Sequence, residues 1–438
     1  MVNMKGKRTL NIYMNGILIG RLVKNIQGGL LFAYDQTWLN TAGARPISLS
    51  LPLVKTSFQG DIVYNFFDNL LPDNPQIRGR IQTKFQIQTN HPFDLLANIG
   101  KDCVGAIQIT EDEPSGLIKS IQSKALNEES IANILRGYQH NPLGMNDDFA
   151  DFRISIAGAQ EKAAFLFHNK KWHMPLDETP TSHIFKLPIG IIQHQQLDLS
   201  DSCENEWLCS QIALAFGFKA AACSIEYFED IKVLVVERFD RKLSSDKKWI
   251  MRLPQEDICQ ALGMSSNLKY QSEGGPGIKE IMKLLLGSEN PTQDRDTFFR
   301  TQILFWLLCA IDGHAKNFSL FIEPEGKFRL TPLYDIMSAF PLKKTRQLPA
   351  QKVKMAMALK GKNTHYCWFE VKRSHFLDTA KNVGYSPNRA EEMLDEMLDQ
   401  LDTVIESVTN KMPRTFPEKI SLPIFEGMRF IKRRLANK

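Results

Sequence analysis

Residues 310–336 read AIDGHAKNFSLFIEPEGKFRLTPLYDI. They place Asp312, then Asn317 five residues on, then Asp335 after a segment that reads as a β-hairpin. Residues 318–322 are apolar and strand-like, and the Pro and Gly of 323–326 (EPEG) suit a tight reversal. Residues 327–334 are predicted as the returning strand, with Pro332 confined to an edge or a bulge. Residues equidistant from such a turn face one another, so Asp335 is expected back beside the 312–317 loop. Two carboxylates and an amide oxygen would then converge. These are the hard ligands that one or two Mg2+ ions take, with water and phosphate completing the shell. A lone Asp-x-x-x-x-Asn is short, and an ordinary solvated loop also satisfies it. The preceding run 297–311 (TFFRTQILFWLLCAI) adds weight, because it is apolar nearly all round and is predicted as a buried helix, a rigid support for a polar loop.

The order Asp, Asn, Asp suits phosphoryl transfer from ATP, in which a catalytic Asp precedes a metal-binding Asn by five residues and a second metal-binding Asp follows. Other segments bear on the same chemistry. Lys186 lies in the strand-like run HIFKLP, where a buried ammonium is costly unless paired. Two placements fit: the open face of the strand, or a site where the ammonium holds phosphates as a point charge. Residues 233–239 (VLVVERF) read as a buried strand ending in charge, with Phe239 a core residue on pattern alone. Residues 157–162 (AGAQEK) form a small-residue loop whose backbone N–H groups can cradle phosphate, although it is neither a Walker A nor a GxGxxG sequence. Residues 274–277 (GGPG) precede a helical run at 278–286, which reads either as a turn with a Pro-initiated helix or as an anion-binding helix start.

Taken together, DGHAKNFSLFI, LTPLYDIMSAFP, DFRISIAGAQEK, HIFKLPIG and VERFDR closely resemble the HipA toxin kinases of bacterial toxin–antitoxin pairs. SLSLPL at 48–53, FFDNLLPDNP at 66–75 and HPFDLL at 91–96 resemble the N-terminal part of the same family. The resemblance covers nearly the whole chain. It implies an α+β, two-lobed protein-kinase-like fold of the phosphatidylinositol-kinase-like branch. Residues 1–115 would form an extra N-terminal subdomain, 116–240 a mixed α/β ATP-binding N-lobe, and 241–438 a mainly helical C-lobe with the catalytic loop.

The resemblance also implies roles. Asp312 would be the catalytic residue, with Asn317 and Asp335 holding Mg2+. Ala157, Gly158, Ala159, Gln160, Glu161 and Lys162 would form the phosphate-binding loop, and Lys186 would hold ATP phosphates. Glu237 and Phe239 would contact adenine, and Arg238, His314, Ala315, Lys316, Asn317, Tyr334 and Asp335 would belong to the ATP site. Ser155 matches the autophosphorylated serine of the family, where a phosphate would add nearly two negative charges beside ATP. The implied partner is a small helix-turn-helix antitoxin (HipB-like) that binds operator DNA and carries the kinase with it. The implied substrate is glutamyl-tRNA synthetase. Two rivals stand beside this: a small-molecule or lipid kinase using the same Asp–Asn–Asp site, and a catalytically idle corepressor bound to the antitoxin.

The bulk properties agree with a soluble protein. The 438 residues are 43% hydrophobic and 24% charged, enough chain for two or three domains. No apolar run reaches the roughly 18 residues of a membrane span, and the N-terminal residues lack the apolar core of a signal peptide. The seven cysteines are scattered without C-x-x-C, as expected of reduced thiols in a cytoplasmic protein with neither disulfides nor zinc. A net charge of +5 is too small to argue for nucleic-acid binding. The basic run 429–434 (RFIKRR) reads as a solvated helix end more readily than as a nucleic-acid patch. Residues 389–408 place Met393, Leu394, Met397, Leu398, Leu401, Val404, Ile405 and Val408 on one helical face, after a Ser386-Pro387 start. Asn15-Gly16 between two strand-like runs predicts a hairpin.

Overall fold

Asn15 and Gly16 both take left-handed backbone angles (φ 47° and 83°), the turn that matches strand twist, and join strands Arg8–Met14 and Ile17–Lys24 as the sequence predicts. This computed structural model describes residues 8–114, 118–140, 154–155, 160, 162–193 and 196–436. The chain divides into two compact units, one of Met1–Leu187, Glu226–Asn267 and Ser319–Phe328, the other of Pro188–Ile225, Leu268–Phe318 and Arg329–Lys438. This division by packing differs from boundaries drawn near 115 and 240. Strand Gln255–Asp257 pairs with Ser319–Ile322, which gathers the first strand of the expected hairpin into the first unit.

Within the first unit, strands Ser57–Gln59, Leu30–Tyr34, Ile17–Lys24, Arg8–Met14 and Ile107–Thr110 form one antiparallel sheet in that order. Its alternating apolar face (Leu10, Ile12, Ile19, Leu22, Phe32) packs with Phe66 and Phe67 of helix Asp61–Asp68 and with Phe93 and Leu96 of helix Pro92–Ile99. In a second sheet, Ile231–Glu237, His183–Lys186, Lys162–His168, Lys171–Pro175 and Ser123–Ala125 lie side by side. Phe165, Phe185, Val233 and Val235 share a core there with Ile131 and Leu135 of helix Glu128–His140.

A buried ion cluster follows the strand Ile231–Glu237. The Asp102 carboxylate takes Arg238 at 3.2 Å and Arg241 at 2.9 Å, and both guanidiniums also hold Asp240. Each of the two donates further to the Cys103 carbonyl, at 2.9 and 2.8 Å. Burial alone would raise the Asp102 pKa, but Arg238, Arg241 and Arg252 outweigh it and hold the carboxyl well below the usual range.

The second unit is mainly helical. Pro387–Thr409 starts at Ser386, whose side chain accepts from the Arg389 N–H, and it buries all eight apolar residues of the predicted face. Helix Glu418–Ala436 carries the basic run. Arg429 and Lys432 pair with Asp402 at 3.2 and 2.8 Å, and Arg434 donates to the Val371 carbonyl, so the run is knit into its own unit. Trp306 and Trp368 exchange indole N–H bonds to each other's carbonyls, at 3.3 and 2.7 Å. Among the described residues, no helix is long and apolar enough to cross a membrane.

Glu256 sits between Gln255 and Asp257 on the strand that supports Ser319–Ile322. It is fully buried and accepts the Leu49 N–H at 2.8 Å. Burial pushes its carboxyl up to about 8. The folded value lies above the unfolded one, so the contribution of this group is complete at acid pH and is lost as pH rises towards about 8. Glu256→Gln keeps an acceptor for Leu49 without the titration. Urea midpoints taken at acid and mildly alkaline pH are expected to fall less in the variant than in the wild type. Equal losses would remove Glu256 as the source.

Candidate active site

Helix Pro291–Leu308 begins with Pro at its first position and buries Phe298, Phe299 and Thr301–Leu308, close to the predicted run. Cys309 ends it in a left-handed conformation (φ 51°), with its N–H on the Trp306 carbonyl. The chain then enters the Asp312–Asn317 loop. An ideal Cβ on Gly313 would lie 2.2 Å from the Phe305 ring, which itself packs on Phe318, so only glycine fits there. The loop closes on one atom, the Asp312 carbonyl, which accepts the His314 N–H at 2.8 Å and the Asn317 side-chain NH2 at 2.7 Å. Asn317 therefore uses its amide nitrogen inside the loop and keeps its amide oxygen as the end suited to a cation. His314, Ala315, Lys316 and Asn317 are buried, whereas Asp312 is exposed.

Asp335 arrives by a different route from the one expected. The returning strand spans only Phe328–Leu330 and stops before Thr331-Pro332, where the missing N–H ends the ladder. Leu333 instead forms a parallel bridge with Ala220, its N–H on the Lys219 carbonyl and its carbonyl accepting from Ala221. The Tyr334 hydroxyl then donates to the Lys316 carbonyl at 2.8 Å, next to Asn317. Beyond Asp335, the Ser338 hydroxyl donates to the Leu308 carbonyl at 2.6 Å and the Ala339 N–H to the Cys309 carbonyl at 3.0 Å. Asp335 is thus bracketed by contacts to both ends of the 309–317 segment. It takes φ 59°, a left-handed conformation that costs an ordinary residue about 1 kcal/mol but that Asp tolerates better than most.

Two residues without a motif hold this arrangement. Asn205, in helix Ser202–Ala215, exchanges two 2.8 Å hydrogen bonds with the Ser338 backbone. Tyr270 donates its hydroxyl to the Asp312 carboxylate, and its ring meets His314 edge-on at 4.9 Å. The signal that pointed near Tyr270 is GGPG. The Gly275 N–H donates to the Tyr270 carbonyl at 3.0 Å, and the Gly277 N–H to the Glu280 side chain at 3.0 Å. The motif is therefore a turn, with its helix-start N–H already satisfied, rather than an anion site.

The other candidates belong to the first unit. Lys186 is buried, at 5% exposure, which rules out the open face of the strand, and its cross-strand neighbours are Leu234 and Lys162. Gln160 donates to the Leu187 carbonyl. Ala157, Gly158, Ala159 and Glu161 lie outside the described residues. Ser155 belongs to the two-residue strand Ile154–Ser155, whose backbone pairs with Asp102–Cys103. Glu237 is an exposed strand end, and Phe239 is half-buried, edge-on to Phe321 at 5.8 Å. Arg238, expected in the ATP site, has its guanidinium committed to the Asp102–Asp240 cluster.

Comparison with known proteins bears on this geometry. A HipA N-terminal domain model matches residues 10–110, and a HipA-like C-terminal domain model matches 154–405. Y4mE of Sinorhizobium fredii is 32% identical over 357 residues, covering 80% of this chain and 81% of that one. The serine/threonine-protein kinase toxin HipA of Shewanella oneidensis is 27% identical over 343 residues, 75% of each chain. A solved Shewanella oneidensis MR-1 structure of HipA with HipB and its operator DNA shares the fold, with a TM-score of 0.81 at 21% identity over 98% of this chain and 97% of that one.

The close approach of Gly313 to Phe305 yields a test. Gly313→Ala is expected to push the loop off the helix, lowering phosphotransfer by roughly tenfold or more, the scale of a misplaced reacting group. Turnover and melting temperature measured together check this. Wild-type turnover would show that the loop tolerates the shift.

Proposed function

The chain belongs to the HipA family of serine/threonine kinases, and we propose that it transfers the γ-phosphoryl group of ATP to serine or threonine hydroxyls of a protein. The carrying observation is the exposed Asp312 carboxylate on a loop that closes through the Asn317 amide nitrogen. That closure leaves the Asn317 oxygen for a cation, and Asp335 follows Tyr334, whose hydroxyl is tied to the Lys316 carbonyl. Asp312 accepts the proton of the acceptor hydroxyl as its oxygen bonds phosphorus and ADP leaves. Asn317 and Asp335 supply hard oxygens that fit Mg2+, and the ion when bound would neutralise phosphate charge. Lys186 and the loop 157–162 hold phosphates. Glu237 and Phe239 contact adenine, with Arg238 between them in the chain. His314, Ala315, Lys316 and Tyr334 line the nucleotide.

The same reading extends to biology. The solved relative is bound to HipB and operator DNA, which supports a helix-turn-helix antitoxin as the partner here and operator DNA reached through it. Restrained in this way, the enzyme would act in the cytoplasm as a growth-arresting toxin on a translation component, glutamyl-tRNA synthetase. Autophosphorylation at Ser155 would switch it off. With Ser155→Ala, activity is expected to persist where the wild type self-inactivates, followed as a time course of substrate phosphorylation.

Asp312→Asn tests the core of the proposal. Removing a general base commonly lowers rate by about 10²–10⁴-fold. That loss is expected with ATP affinity and melting temperature unchanged. A folded variant of normal rate would refute the assignment.

A further inference from the structure

We infer that Tyr270 is a positioning residue for the phosphotransfer step, acting through the Asp312 carboxylate. This rests on the reading of Asp312 as the catalytic residue. The phenol O–H donates to one oxygen of Asp312, which leaves the other for an acceptor hydroxyl. Asp312 is exposed, so without a partner its side chain would sample several rotamers, and each wrong one removes the base from reach.

The turn that mounts Tyr270 is held at several points. Its carbonyl accepts two N–H groups, from Glu273 and Gly275, each at 3.0 Å. An added Cβ at Gly275 would lie 2.0 Å from the Leu268 carbonyl oxygen, so the turn cannot be built without glycine there. The Lys269 carbonyl accepts the Ala315 N–H at 3.2 Å, joining this turn to the catalytic loop. On the other side, the Gln271 side chain accepts the Ala358 N–H at 2.7 Å, anchoring the turn to strand Lys354–Lys360. The Tyr270 ring lies edge-on to His314. Backbone, ring and hydroxyl are each fixed, and the hydroxyl ends on the one exposed acid of the loop.

The experiment uses the full chain with Mg2+, ATP and a serine-containing protein acceptor. It compares wild type, Tyr270→Phe, Asp312→Ala and the double variant. Tyr270→Phe keeps the ring on His314 and removes only the hydroxyl. Its kcat is expected to fall roughly ten- to a hundredfold, the range that a hydrogen bond to a charged group spans. KM for ATP and melting temperature should stay at wild-type values. In the Asp312→Ala background the same change should have no further effect, because a residue acting through that carboxylate has nothing left to position. Unchanged or increased kcat in Tyr270→Phe overturns the inference. So does a loss that compounds in the double variant or that follows a lowered melting temperature. Normal turnover by Asp312→Ala alone would instead overturn the active-site reading, and this inference with it.

Discussion

The carbonyls at the end of helix Pro291–Leu308 are the constraint on which the site depends. A helix ends with carbonyls that have no partner of their own, and here the end is buried, with Leu308 and Cys309 at 0% exposure. Leaving a buried carbonyl unmet costs about 1–3 kcal/mol. The Ser338 hydroxyl takes the Leu308 carbonyl and the Ala339 N–H takes that of Cys309. The hydrogen-bonding need of one helix thus draws in the segment that carries Asp335. Asn205 then holds Ser338 by both backbone groups, so the segment is fixed from two sides.

The same economy governs the 312–317 loop. One carbonyl, that of Asp312, accepts from both His314 and Asn317. The closure uses the Asn317 amide nitrogen while the Asp312 carboxylate stays exposed. Gly313 permits the tight approach to Phe305 that lets the loop turn at all. Phosphoryl transfer asks little covalent chemistry of a protein and much positioning. These contacts are of the positioning kind.

Local pattern made much of this legible. Asp312, Asn317 and the left-handed Asn15-Gly16 turn were readable as short motifs. The helices Pro291–Leu308 and Pro387–Thr409 were readable because burial imposes a periodicity or an unbroken apolar run. The contacts that join distant segments were not. Asn205 meets Ser338 across 133 positions, and Tyr270 meets Asp312 across 42. A lone Asn or Tyr in an ordinary helix or turn carries no mark of such a partner. Pairing across a sheet also misled: equidistance from the 323–326 turn brought Asp335 back at the end of a strand running to Tyr334, whereas the strand ends at Leu330 and Leu333 pairs with Ala220. Arg238 looked like part of a strand end facing a nucleotide, because nothing near it in sequence announces Asp102 as its counter-ion.

The central claim is that this loop moves phosphate from ATP to a protein hydroxyl. The most direct measurement incubates the purified chain with Mg2+ and γ-labelled ATP and locates the label by mass spectrometry. The account predicts covalent phosphate on serine or threonine, on the chain itself or on an added protein substrate. Bound ATP with label appearing only in inorganic phosphate, in a lipid or in a small molecule would contradict it.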